Sequence, residues 1–114
     1  MNMSQQITKQ SFKELSDGVS DRYSNTRLEV VNDHGLRMAV MEGAYKWHYH
    51  EHTDELFIVL EGELKIEIRD GETQSLKPGE FVKIPARTIH KTSAIGRTVN
   101  LCFEKDAEDT VFVE

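Results

Sequence analysis

The sequence predicts an all-β domain, a sandwich or barrel of antiparallel strands, with one short helix ahead of it. Two observations carry this. From Thr26 onward, short runs rich in β-branched and aromatic residues are broken by turn chemistry about every 6 to 12 residues. No helix-length segments alternate with these runs, as a parallel sheet would require. With 114 residues the chain is about the size of one ordinary domain and too short for two of typical size.

Taken in order, residues 1–25 form an amino-terminal segment with a single helical signal. Ser11, with Glu14 three residues on, reads as a capping box ahead of Leu15, and Gly18 can end the helix. Residues 26–114 form the β domain. Its strands are expected in "TRLEVV", "LRMAVME", "YKWHYH", "ELFIVL", "ELKIEI", "TQSL", "EFVKI", "IHKTSA" and "RTVNLCFE". Turns are expected at "NDHG", "GA", "EHTD", "EG", "RDGE", "KPG", "PART" and "IG". Asp70-Gly71 is a strong hairpin signal, and Lys77-Pro78-Gly79 is a tight turn in which proline presets φ.

Composition removes several classes of function. Charged residues make up 30% and hydrophobic residues 38%, with no apolar run near the roughly 18 residues a membrane span needs. The start "MNMSQQITKQSF" has no apolar core of a secretory signal, so a cytoplasmic location is expected. Fourteen basic against twenty acidic residues leave a net charge of −6, which disfavours a phosphate backbone as partner. The single cysteine, Cys102, cannot form an internal disulfide and sits in the alternating run "TVNLCFE", where a structural role is expected.

The chain has five histidines, and three of them, His48, His50 and His52, fall in "KWHYHEHTDELF". On a helix, His48 and His52 would share a face, but His50 would lie about 200° round the axis from His48. On a strand, His48 and His50 point to one face with Cα atoms about 6.7 Å apart, close enough for two imidazoles to converge on one ion. Trp47 and Tyr49 favour the strand. "EHTD" reads as a turn, so His52 is expected to leave the site. Glu55 would then open an antiparallel strand pairing back on the first, with its carboxylate near the imidazoles. Two histidines and a carboxylate in this arrangement suit iron and accept manganese, nickel or zinc. Of the remaining histidines, His34 lies in the polar turn "NDHG", which explains it without any function. His90 opens a strand after Pro85, and taken alone it is better explained as structural.

Two spacings carry a resemblance. Gly43-x4-His48-x-His50-x4-Glu55-x6-Gly62 closely resembles the first motif of the cupin family, and Gly79-x5-Pro85-x4-His90 resembles the second, with a short spacer from Glu63 to Pro78 between them. The likeness runs from about Arg27 to Glu104. It implies a double-stranded β-helix, a jelly-roll barrel of two antiparallel sheets. It also implies four ligands to one divalent transition metal (Fe, Mn, Ni or Zn): His48, His50, Glu55 and His90. The second motif departs from the family pattern at Arg87, where glycine is usual, and at Ala94, where asparagine is usual.

With Glu55 inward, strand alternation sends Phe57 and Val59 inward and Leu56, Ile58 and Leu60 outward. The same count sets Tyr45, Trp47 and Tyr49 opposite His48 and His50. Three aromatics and three aliphatics on one outer face make a patch too large to stay wet, so a homodimer is expected there. Two functions remain in play: a metal-dependent enzyme, oxygenase or isomerase, acting on a small organic molecule, and a non-catalytic module that binds a metal or small ligand. The sequence leaves the choice between them, and the catalytic residues, open.

Overall fold

A computed structural model describes residues 6–114. One short helix, α1 (Phe12–Asp17), precedes eight strands: β1 (Tyr23–Val31), β2 (His34–Ala44), β3 (His48–His50), β4 (Glu55–Ile68), β5 (Gln74–Leu76), β6 (Phe81–Ile84), β7 (His90–Lys105) and β8 (Thr110–Phe112). The first five residues of the amino-terminal segment lie outside the described residues. Ser11 caps α1 as the sequence predicts, its hydroxyl accepting the Glu14 N–H at 3.2 Å. Gly18 closes the helix by donating to the Glu14 carbonyl at 3.3 Å. The first strand starts at Tyr23, a turn earlier than Thr26.

All strand pairs are antiparallel, and the sheet curls into two facing layers. One layer runs β1–β2–β7–β4–β6, using the second half of β7 and the first half of β4. The other runs β8–β3–β7–β4–β5, using the opposite halves of the same two long strands. This is the double-stranded β-helix that the motif spacing implies. Two expected turns prove to be bends inside continuous strands. "EG" lies within β4 and "IG" within β7, whereas "GA" closes β2. The β4–β7 register slips between Val59 and Glu61 and again between Glu61 and Glu63, so one strand can pass from layer to layer. Gly62 makes the bend possible. Its φ is +79°, and a Cβ there would lie 2.5 Å from the Arg97 carbonyl oxygen. The Pro78-Gly79 turn forms as expected, with Gly79 at φ +87° and the Glu80 N–H on the Lys77 carbonyl at 2.9 Å.

Two apolar clusters hold the layers. Phe57, Val59, Ile84 and Cys102 from one layer meet Leu64, Ile66 and Leu76 from the other inside the barrel. Met38, Val40, Val99 and Leu101 form the second cluster on the outer face, where Leu15 and Val19 of the amino-terminal segment pack against them with Ile58 and Leu60. Strand alternation around Glu55 therefore holds as read. Burying Leu64, Ile66 and Val59 completely stabilises the fold by about 1.5–3 kcal/mol each.

The single aromatic–aliphatic outer patch does not exist. Residues 45–47 are not a strand, so alternation fails there. Tyr45 turns into the barrel against His48, with ring centroids 5.3 Å apart. Trp47 lies under the Arg69 guanidinium, 5.0 Å from its ring centroid, and Tyr49 pairs with Val111 of β8 in the other layer. Among the described residues no helix is long and apolar enough to cross a membrane.

Candidate metal centre

His48, His50, Glu55 and His90 converge inside the barrel. One ligand atom of each lies within 4.8 Å of every other, and all four side chains are buried. Their placement differs from the sequence expectation in one respect. β4 does not pair back on β3. The two edges of β3 are taken by β7, with His48 directly opposite His90, and by β8, with His50 opposite Thr110. Glu55 stands in the other layer, between Ile84 and Glu104, and reaches the imidazoles across the barrel. His52 leaves the site and is exposed, as expected, and His34 stays at the surface with its Nδ1 2.8 Å from Asp33.

Backbone carbonyls orient two of the imidazoles. His48 Nδ1 lies 2.7 Å from the Lys46 oxygen and His90 Nδ1 2.8 Å from the Thr88 oxygen, so each Nδ1 carries the proton and each Nε2 is a free lone pair. His50 is held by a carboxylate instead, with Nδ1 3.2 Å from Asp109 Oδ1. Asp109 is itself fixed by the His52 N–H at 2.8 Å and the Thr53 hydroxyl at 3.1 Å. The turn that delivers His90 uses Arg87 at φ +66°, the left-handed conformation glycine takes freely. Arg87 N–H donates to the His50 carbonyl at 2.7 Å and its Nε to the Glu51 carbonyl at 3.2 Å, tying this turn to β3. The departure at Arg87 thus keeps the backbone shape and changes only its cost.

His50 Nε2 and His90 Nε2 lie 3.2 and 3.5 Å from Glu55 Oε1, within ion-pair range, yet none of these three buried atoms meets the geometry of a hydrogen bond in the protein. Buried polar atoms without partners are rare and costly. A divalent cation at their point of convergence satisfies all of them, and three imidazoles with one carboxylate form a donor set that transition metals accept. The electrostatics agree. Burial disfavours a charged Glu55, but the imidazoles of His50 and His90 outweigh it and hold the carboxyl below its usual range. Burial likewise works against a charged His50, but Glu55, Glu104 and Asp109 together lift it to about 9. Burial keeps His48 low and neutral.

A cavity of about 950 Å³ opens from this cluster. His48, His50 and Glu55 form part of its wall, while His90, 1% exposed, lies behind them. The inner face of β1 and β2, in the same layer as Glu55, continues the wall with Asn25, Arg37, Ala39 and Met41. Glu104 projects into the same space. Its Oε2 is enclosed, 3.8 Å from His50 Nδ1 and without a hydrogen-bond partner. Burial first, and then the charge of Glu55, push its carboxyl up to about 7. Sequence reasoning missed Glu104, Asp109 and strand β8. A signal for Glu104 existed, because alternation in "TVNLCFE" places it on the same face as Cys102, which is inward and buried. Asp109 lies in an acidic stretch that gave no signal.

The cupin domain family model matches residues 36–103. The chain belongs to the cupin family. This cupin is 45% identical over 105 residues to the uncharacterized protein YdbB of Bacillus subtilis (strain 168), covering 92% of the chain and 93% of that protein. It is 44% identical over 43 residues to quercetin 2,3-dioxygenase of the same organism, a match that spans 38% of the chain and 12% of the dioxygenase. Among solved structures it superposes on a cupin-2 domain containing protein from Shewanella frigidimarina NCIMB 400 with a TM-score of 0.78 at 32% identity, covering 83% of this chain and 92% of that one.

Proposed function

We propose that this cupin is a metal-dependent enzyme of oxygenase or isomerase type, acting on a small organic molecule in the barrel cavity. In this reading His48, His50, Glu55 and His90 hold one Fe, Mn, Ni or Zn ion. The observation that carries it is the set of unpartnered buried ligand atoms on the wall of a cavity large enough for a substrate. Bound iron would supply oxygen chemistry, and zinc or manganese would polarise a carbonyl. The likeness to quercetin 2,3-dioxygenase supports the first. The chain's own residues divide the remaining work. Asp109, Lys46 and Thr88 orient the imidazoles, Tyr45 and Phe57 shield them from water, and Glu104 offers a carboxylate beside the reacting space. A module that only stores metal has no use for a half-buried carboxylate without a hydrogen-bond partner, so Glu104 favours catalysis over passive binding.

Elemental analysis of protein purified without chelator tests the reading. One equivalent of transition metal is expected, lost in His48→Ala and His90→Ala. Metal-free wild-type protein would overturn it. Oxygen consumption by an iron-loaded sample then separates the two reaction types.

We further propose a homodimer, on a different surface from the one read in the sequence. Leu56 and Ile58 do face outward, but they are joined by Phe103 and by Phe81, which is 69% exposed, rather than by Tyr45, Trp47 and Tyr49. Sedimentation giving a stable monomer at micromolar concentration would refute it.

A further inference from the structure

Five of the six arginines are occupied. Arg22 meets Glu42, Arg27 meets Asp106, Arg87 meets Glu51, Arg97 meets Glu61, and Arg69 lies on Trp47 with a bond to the Glu114 carbonyl. Arg37 differs. It is half-buried on the cavity wall, and among the described residues it forms no ion pair, only a 3.3 Å hydrogen bond to the neutral Asn25 amide oxygen. Its cross-strand neighbour on β1 is Arg27, a like charge that Asp106 neutralises. No carboxylate contacts this guanidinium directly, Glu104 acting on it only through space, and its spare forked donors fit a bidentate oxyanion.

We propose that Arg37 anchors the carboxylate of a small monocarboxylic acid, with Asn25 beside it, so that the rest of the molecule extends toward Glu55 and the histidines. The position of its reacting end rests on the metal-site reading; the anchor itself does not. Arg37 and Glu55 stand on the same inner face. β7 lies between β2 and β4, and Arg37 is two residues along β2 from Gly35, the residue aligned through Glu104 with Glu55. Two strand spacings and two residues put their Cα atoms about 12 Å apart, and both residues line the cavity, with the Arg37 guanidinium leaning toward Asn25 on β1. A short carbon chain spans the distance from there to the cluster. The charge balance selects a monoanion over a phosphate. One positive charge that no carboxylate contacts directly matches one carboxylate, whereas a dianion would add repulsion from Glu104 on the same wall, Glu55 being taken up by the metal.

Ligand-observed NMR titration tests this with three probes: butyrate, its neutral analogue butyramide, and inorganic phosphate. Butyrate is expected to bind wild type, and Arg37→Met to weaken it about ten- to hundredfold, the worth of a charge-assisted hydrogen bond. Arg37→Lys should recover part of the loss, and butyramide should not respond to either change. An unchanged thermal midpoint shows that Arg37→Met still folds. His48→Ala keeps the anchor, so butyrate must still bind it. Equal butyrate affinity in Arg37→Met and wild type would overturn the anchor, as would tighter binding of phosphate than of butyrate. Loss of butyrate in His48→Ala alone would mean the carboxylate sits on the metal, overturning the anchor while leaving the metal site standing. Arg37-dependent butyrate binding in a protein that takes up no metal would do the reverse.

Discussion

Metal uptake by this cupin should expel a proton from His50, and the amount can be worked from the site. In the metal-free protein Glu55, Glu104 and Asp109 overcome the burial of His50 and lift it to about 9, so at pH 7 it is almost wholly protonated. A ligand imidazole must be neutral, and binding therefore has to release about one proton. The sign follows. A raised histidine pKa means that protons compete with the cation at low pH, so affinity rises with pH until about 9, by at least about tenfold per unit. His48, already depressed by burial, adds nothing above its ordinary range. Glu104, near 7, is about half protonated at pH 7 and faces the site, so an arriving divalent charge drives off its proton as well. The expected release at pH 7 is more than one proton for wild type and about one for Glu104→Gln. Calorimetric titration with zinc, repeated in two buffers of different ionisation enthalpy, counts them directly. Zinc binding without proton release, or an affinity independent of pH between 6 and 8, would refute this account of the site.

Three further outcomes are expected. Chelation, or His90→Ala, should cost the stability that metal binding adds, about 4 kcal/mol at a thousandfold excess over Kd, and lower the melting midpoint by on the order of 10 °C in scanning calorimetry. Gly62→Ala should destabilise the fold by about 3 kcal/mol or more in urea titration, because the added Cβ meets the Arg97 carbonyl at 2.5 Å and φ is positive. At Arg87, where φ is +66°, replacement by Val should cost about 1–2 kcal/mol, whereas Gly should stay within about 1 kcal/mol of wild type and keep the metal.

Strand positions from Glu55 to Ile68 were readable because period-two alternation responds to burial on one face, and Phe57, Val59, Leu64 and Ile66 obey it. Breaks in a strand were harder to read. Gly62 and Gly96 look like turn residues, yet in a barrel the same positive φ lets a strand bend between layers without ending. Alternation does not place Tyr45 and Trp47, because both lie outside any strand.

By itself the sequence determined the β class, the helix cap at Ser11 and the approach of His48 to His50, since these depend on local geometry and spacing alone. The tertiary structure decided that Glu55 reaches its partners across the barrel rather than across a ladder, because β7 and β8 occupy both edges of β3. It also brought Asp109, 59 residues away, to His50, and set Arg37 and Glu104 on one cavity wall. Such neighbours are fixed by which strands share a sheet, and no single stretch of chain encodes that.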